Sequence, residues 1–198
     1  MKKLTAILCA IMLLLGASGI LAEGKGVQAP VSVTEKTVLW EHTMQENDEN
    51  GNDVEVTVKV TIDPKSPITI QTFYAPDQAK DFYFAQISRE GEPSSIILSL
   101  ASAEMGAHAN LNNATEEELK AYGEQMSMQF DEDKAQVTSF KSEGGNTYLV
   151  AQDGVQAIVS TIYEDFKIDM YQARSDFSPL TEEDRAFAVE IFQSIWTE

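Results

Sequence analysis

Cysteine is almost absent from this chain of 198 residues. The single cysteine, Cys9, lies inside an apolar run near the amino terminus, and no position after that run holds another. Disulfide-stabilised scaffolds and zinc sites built from thiolates are therefore excluded for the rest of the chain. The fold must be stabilised by an apolar core, and a domain of this length can bury about 70% of its unfolded surface.

Histidine is also scarce, because only His42 and His108 occur. A general base with an ordinary pKa near neutrality would have to be one of them. His42 shares a predicted strand face with Trp40, which favours packing at the edge of the core. His108 lies in a predicted loop of small residues. This position suits a functional role better than that of His42, although a solvated loop histidine is the commoner case. No zinc-binding helical motif, glycine-flanked nucleophile or phosphate-binding glycine loop occurs.

Basic residues are few as well. The chain has 14 lysines and arginines against 32 aspartates and glutamates, which gives a formal charge of −18. Nucleic acids and anionic lipid surfaces attract proteins through clusters of basic residues, so we expect neither as a partner. Excess negative charge also keeps an exported protein soluble, which is the simpler explanation of this composition.

Long apolar runs are confined to the amino terminus. Lys2 and Lys3 precede the run Leu4–Leu15, and small residues up to Ala22 follow it. This order predicts a cleaved signal peptide at residues 1–22 and an exported protein, either secreted or in the cell envelope. The alternative is an uncleaved anchor, because the stretch approaches the roughly 20 residues that span a membrane. Glycines after a short apolar core favour cleavage, so we expect no stable membrane insertion afterwards.

A linker and one folded domain are predicted after the signal. Residues 23–36 contain glycines and a proline without a sustained apolar period, which is typical of a linker. Residues 37–198 form the predicted single domain. Cleavage also removes Cys9 and two lysines but no acidic residue, so the formal charge moves from −18 to −20.

Alternating residues predict a β-hairpin at the start of the domain. The segments Val38–Met44 and Val54–Ile62 each alternate with a period of two, and Val38 lies on the predicted buried face. Asn50-Gly51 lies between them, and this residue pair readily adopts the positive φ angles of a hairpin turn. We therefore expect two antiparallel strands here.

Further strands and two helices follow this hairpin. The predicted strands are Ile68–Tyr74, Phe82–Ser88, Ser95–Leu100, Ala135–Ser142, Thr147–Gln152, Val155–Tyr163 and Phe166–Arg174. Two capping boxes, Thr115 with Glu118 and Thr181 with Asp184, begin helices that carry apolar stripes. Gly123 within the first helix predicts close packing against a strand.

The order of these elements resembles the PsbP-like and Mog1-like domains. The likeness is strongest from Thr115 to Ile195, where a capped helix precedes a strand ending at Lys141, a glycine-rich turn leading to Tyr148, two long strands and a final helix. The resemblance implies an α+β fold, with a mostly antiparallel sheet flanked by helices as an α/β/α sandwich. It also implies a noncatalytic role. The family shares no catalytic motif, so no residue inherits a function from it.

Acidic and amide side chains in the hairpin loop are the candidate metal ligands. They are Glu46, Asp48, Asn50, Asn52 and Asp53. Ca²⁺ prefers such oxygen donors, but an EF-hand loop needs glycine at its sixth position, and counting from Asp48 places Gly51 fourth. We therefore expect a solvated loop, and we predict no metal and no cofactor.

Two acidic triples could supply paired carboxylates for glycoside hydrolysis. Glu116-Glu117-Glu118 and Glu182-Glu183-Asp184 both fall in the first turn of a predicted helix. Negative charge there stabilises the helix dipole by about 0.3 to 1 kcal/mol for each residue, which explains both triples without an active site. Asn113-Ala114-Thr115 also matches a glycosylation sequon, although it overlaps the helix cap.

These observations favour a noncatalytic binding or accessory protein of the cell envelope or extracellular space. Its expected partner is another protein or a small molecule, and no catalytic, cofactor-binding or metal-binding residue is assigned. The alternative is a small secreted hydrolase that uses carboxylates or His108.

Processing of the amino terminus provides the first test. We expect the mature protein to begin at Glu23 or close to it, because signal peptidase recognises the small residues after the apolar run. Intact mass and amino-terminal sequencing of the exported protein measure this directly. Recovery of Met1 from the membrane fraction would support the uncleaved anchor instead.

Overall fold

The computed structural model describes residues 28–47, 50–73, 82–102, 110–128, 130, 135–142, 145–163 and 166–197. The predicted signal at residues 1–22, His108 and Asp48 lie outside these ranges. Neither described helix has the length and apolarity that crossing a bilayer requires.

Eight strands form one large antiparallel sheet with the order β1-β4-β5-β6-β10-β9-β8-β7. Its strands are β1 (Val31–Val33), β4 (Ile68–Thr72), β5 (Phe82–Ser88), β6 (Ser94–Ser102), β7 (Gln136–Lys141), β8 (Thr147–Gln152), β9 (Gln156–Tyr163) and β10 (Phe166–Arg174). Glycines at positive φ lie in three of the turns between consecutive strands of this sheet: Gly91, Gly145 and Gly154. The predicted strands of this sheet are confirmed.

A second sheet of three strands contains the predicted hairpin. Strands β2 (Thr37–Asn47) and β3 (Asp53–Ile62) pair antiparallel, and the carboxyl-terminal β11 (Ile195–Thr197) joins the other edge of β3. Gly51 in the turn has a φ of 79°, which confirms the turn predicted at Asn50-Gly51.

Two helices complete the described part of the chain. Helix α1 (Glu116–Ser127) and helix α2 (Glu182–Gln193) both begin with the predicted capping boxes. In each box the threonine hydroxyl accepts from the backbone N–H three residues later, while the acidic side chain accepts from the threonine N–H. Both predicted helix starts are therefore confirmed.

The main core lies on one face of the large sheet, here called the inner face. Its centre is formed by Ile96, Leu98, Leu100, Ile168 and Met170, all of which are buried. The small sheet and helix α2 cover this face together. Their buried side chains, which include Trp40, Val60, Ile62, Phe187, Ile191 and Phe192, belong to the same cluster.

A smaller core lies on the opposite, outer face under helix α1. Met126 of the helix packs with Leu149, Ala151 and Ile162 of the sheet. A Cβ atom at Gly123 would come within 2.6 Å of Cγ1 of Val137 on β7. The close approach predicted for this glycine is confirmed, because any larger side chain would force the helix away from the strand.

The predicted α/β/α sandwich is wrong, because the fold is β-rich. The described residues contain eleven strands and two helices, and the small sheet occupies much of the layer where a helical layer was expected. The α+β expectation failed because the hairpin pairs with residues far away in sequence: Ile62 of β3 lies opposite Ile195 of β11. Local periodicity identifies strands but does not specify such distant pairing.

Two further differences concern short segments. A β-bulge between Val38 and Trp40 shifts the register of β2, so Val38 is exposed rather than buried as predicted. Residues 31–33, within the segment assigned to a linker, form β1 and pair with β4. A strand of three residues is too short to produce a detectable alternation.

A charged contact ties helix α2 to the loops at one end of the large sheet. Nη2 of Arg89 donates to Glu190 Oε2 at 2.8 Å and to Ser66 Oγ at 2.7 Å. The Arg89 guanidinium also lies 4.6 Å from the ring centroid of Phe187. Such a cation–π contact contributes about 0.5 to 2 kcal/mol. Helix α2 is thus fixed at this end by charge and by packing.

Truncation of Phe187 tests the packing of helix α2. Phe187 is 2% exposed, so Phe187→Ala should reduce the free energy of unfolding by about 3 to 5 kcal/mol. Val189→Ala on the same helix is the control, since Val189 is 45% exposed and should cost less than about 1 kcal/mol. Equal losses in urea-induced unfolding would show that the helix is docked differently.

Candidate functional site

Of the two histidines, the structure describes only His42. His42 is half-buried on β2, and its ring stacks on Trp40 with centroids 5.0 Å apart. This agrees with a histidine packed at the edge of the core. His108 lies outside the described residues, so its predicted loop position stays a prediction.

The acidic hairpin loop is only partly described. Asn50, Asn52 and Asp53 lie in the turn and at the start of β3, whereas Asp48 and the side chain of Glu46 lie outside the described part. Among the residues that are described, no three histidine, cysteine or acidic side chains converge in a way that could hold a metal ion. The expectation of a solvated loop stays a prediction.

The acidic triples occupy the first turns of the two helices, as predicted. Glu118 accepts from the Thr115 backbone and hydroxyl, and these hydrogen bonds lower the pKa of its carboxyl group. Glu182 and Glu183 are exposed, whereas Asp184 is buried. Each triple therefore has a capping role at its third residue.

Asp184 is the one buried carboxylate among these candidates. Its Oδ2 accepts from Arg174 Nη1 at 2.8 Å and from the Thr181 backbone at 2.7 Å. Burial raises the pKa of Asp184, but the hydrogen bonds from Thr181 and Arg174 outweigh it and lower the pKa to about 2. A carboxyl group with this pKa holds a structural charge and cannot donate a proton near neutral pH.

A polar cluster that sequence reasoning missed lies on the outer face beside helix α1. Tyr122 Oη lies 2.8 Å from Ser160 Oγ, Ser160 Oγ donates to Asp169 Oδ1 at 2.5 Å, and Lys167 Nζ lies 2.9 Å from Asp169 Oδ2. Ser160 and Asp169 are direct cross-strand neighbours on β9 and β10. A serine beside a lysine and a carboxylate is a pattern that could support nucleophilic catalysis.

The geometry of this cluster favours a structural role. Ser160 is 1% exposed, so a substrate cannot reach its hydroxyl group. Burial lowers the pKa of Lys167, but Asp169 and Tyr122 outweigh it and raise the pKa, so the amine stays protonated and cannot act as a base. The cluster instead connects helix α1 to the sheet.

A groove of about 390 Å³ lies between helix α2 and the inner face of β7 to β10. Its floor and wall are largely apolar. They include Phe140, Val150, Ala157, Val159, Ala188, Val189 and Phe192. We call this the α2 groove. A concave, mostly apolar site of this size with a few polar groups is typical of small-ligand and side-chain binding sites.

Three polar side chains give the α2 groove its chemistry. Lys141 and Arg185 are exposed, and neither forms an ion pair with any residue in the described part of the chain. Gln172 is 1% exposed and its Nε2 donates to the Asp184 carbonyl at 2.6 Å. Its Oε1, however, accepts no hydrogen bond from a described residue. A buried acceptor without a donor is costly, but Gln172, like Ser160, is too little exposed for a ligand to reach it directly.

A second cavity of about 360 Å³ lies on the outer face between helix α1 and strands β7 and β8. We call this the α1 cavity. Its lining includes Leu119, Val137, Ser139 and Leu149, and Lys120 and Glu124 at its side form an exposed ion pair at 4.0 Å. Its lining mixes apolar side chains with hydroxyl groups, and no charge among these residues is unpaired.

Comparison with known proteins adds nothing to this geometry. No family model, curated protein or solved structure matches the chain. The α2 groove can accept a molecule with an apolar body and an anionic group near Lys141 and Arg185.

One sequence signal could have indicated the groove. Ile168, Met170 and Gln172 alternate on the inner face of β10, so the pattern places a glutamine where a third apolar residue would be expected. A polar residue at such a position requires a partner. The remaining groove residues come from separate strands and a helix, and no local pattern connects them.

The depressed pKa of Asp184 predicts an acid-sensitive contribution to stability. The folded pKa of about 2 lies below the ordinary value of 3.8, so the stabilisation is complete above about pH 4 and is lost as pH falls toward 2. Asp184→Asn should therefore lower the free energy of unfolding by about 2 kcal/mol at pH 7. The difference from wild type should disappear near pH 2.

Glu183→Gln is the matched control, because Glu183 is exposed in the same helical turn. It should change the free energy of unfolding by less than about 0.5 kcal/mol. Urea unfolding curves between pH 2 and pH 7 compare the three proteins. A gap between Asp184→Asn and wild type that stays constant down to pH 2 would contradict the assigned role.

Proposed function

We propose that this protein is an exported, noncatalytic binding protein of the cell envelope or extracellular space, and that the α2 groove is its ligand site. One observation carries the proposal: an apolar groove of about 390 Å³ is lined by two cations, Lys141 and Arg185, that form no ion pair with the described residues. These features call for a ligand with matching chemistry.

Charge supports the proposal because the groove differs from the rest of the molecule. The chain has a formal charge of −18, yet Lys141 and Arg185 both line this groove. Arginine and lysine side chains at the mouth of an apolar site select a ligand that carries a carboxylate, sulfonate or phosphate group. The ligand is therefore amphipathic and anionic.

A binding role fits the described side chains better than the hydrolase alternative does. Glu118 and Asp184 serve as helix caps, and Ser160 is buried in a network with a protonated lysine. Export rests on the signal peptide predicted from the sequence.

The binding site can be tested with 8-anilinonaphthalene-1-sulfonate, which combines an aromatic body, one anion and one N–H donor. We expect saturable fluorescence enhancement with one site per protein. Arg185→Gln should weaken binding about fivefold, since a partly exposed ion pair contributes about 1 kcal/mol. Val150→Phe, which fills the groove floor without changing charge, should abolish the enhancement.

Lys120→Gln is the matched control because it removes one positive charge from the outer face of the sheet. It should leave the affinity within about twofold of wild type. Circular dichroism and urea unfolding verify that each variant is folded. The groove assignment would be wrong if Lys120→Gln weakened binding as much as Arg185→Gln, or if the folded wild type showed no saturable site.

A further inference from the structure

Strand β7 has an open edge in the described structure, because it is the last strand of the large sheet and pairs only with β8. The backbone N–H of Ser142 donates to the Asn146 carbonyl at 2.9 Å, which identifies this position as a hydrogen-bonded pair. Hydrogen-bonded and non-hydrogen-bonded pairs alternate along an antiparallel ladder. Val137, Ser139 and Lys141 therefore direct their N–H and C=O groups away from β8.

An independent contact supports this alternation. Thr147 lies opposite Lys141 on β8, and its N–H donates to Asn112 Oδ1 at 2.6 Å rather than to β7. The Thr147–Lys141 pair is thus a non-hydrogen-bonded pair, as the alternation requires. Three evenly spaced residues of β7 consequently present, at the sheet edge, donors and acceptors that no described residue uses.

Both cavities of this end of the molecule adjoin β7, on opposite faces of the sheet. By their pairing with β8, Val137 and Ser139 face the α1 cavity, whereas Thr138 and Phe140 face the α2 groove. Lys141 borders the α2 groove from the edge of the sheet, because its register places it on the same face as Ser139. Side chains of a β-strand alternate between the two faces. A strand added beside β7 would therefore place successive side chains next to the outer and the inner cavity in turn.

We propose that an extended segment of a partner protein adds to β7 as another strand of the large sheet, with alternate side chains in the α1 cavity and the α2 groove. This inference rests on the proposed function, because it names the ligand of the α2 groove. Main-chain hydrogen bonds to Val137, Ser139 and Lys141 provide affinity, and the two cavities provide selectivity.

The charges define the partner segment. Its inner side chains must be apolar or acidic, since they meet the apolar floor and the guanidinium of Arg185. Its outer side chains are uncharged, because the charges beside the α1 cavity, Lys120 and Glu124, already pair with each other. A second copy of β7 fits poorly. The segment Gln136–Lys141 contains a lysine and no acidic residue, and two copies of this chain repel each other.

The experiment selects random linear peptides, about nine residues long to match a long strand, from a display library against the folded protein. We expect enriched peptides to have apolar residues at every second position. We also expect an acidic residue at a position whose side chain faces the α2 groove. A synthetic peptide of the enriched sequence then serves as the probe in calorimetric titrations with wild type and two edge variants.

Ser139→Pro and Ser139→Thr form the matched pair. Proline removes the outward N–H without breaking a hydrogen bond to β8, and edge strands tolerate proline. Threonine keeps that N–H. We expect Ser139→Pro to weaken peptide binding about tenfold or more and Ser139→Thr to stay within about twofold, because only proline removes the edge hydrogen bond. Both variants should bind the anilinonaphthalene probe as wild type does.

The other outcomes separate the two proposals. Peptides that lose affinity with Arg185→Gln but not with Ser139→Pro would support the groove and overturn strand addition. Absence of any enriched peptide would also overturn strand addition, while the anilinonaphthalene titration assesses the groove by itself. Concentration-dependent dimerisation of wild type that Ser139→Pro abolishes would show that the occupant of the edge is a second copy, and the partner segment would then be wrong.

Discussion

Burial of the inner face of the large sheet is the constraint on which the rest of the structure depends. Each central strand directs apolar residues such as Leu98 and Met170 toward this face, and these residues must be shielded from water. A three-stranded sheet from both ends of the domain covers one part of the face, and helix α2 covers another. The α2 groove remains where helix α2 does not fill the space above strands β7 to β10.

The local features of the fold could be predicted because neighbouring residues determine them. The capping threonines Thr115 and Thr181, the Asn50-Gly51 turn and the alternation of the strands all act over a few residues. The layering could not be predicted, because it depends on β3 pairing with β11 across most of the domain. The bulge at Val38 was missed for a related reason. The extra residue of a bulge reverses the sheet face to which the flanking side chains point, while the amino-acid composition of the strand stays the same.

The candidate site illustrates the same limit. Sequence reasoning concentrated on titratable residues, and among the described ones Asp184 proved to be a helix cap and His42 a packed side chain. The α2 groove depends instead on small and apolar residues such as Ala157 and Val159, whose proximity to helix α2 exists only after folding. Gln172 was the one visible signal, since it interrupts an apolar face.

The central claim is that the α2 groove is the ligand site of this protein. Nuclear magnetic resonance of isotope-labelled protein, titrated with 8-anilinonaphthalene-1-sulfonate, tests it most directly. The account predicts that the largest shift changes fall on the amides of Val150, Val159 and Arg185 and on the side-chain amide of Gln172. Shift changes centred on the α1 cavity or on the three-stranded sheet, with the Gln172 side chain unaffected, would contradict it.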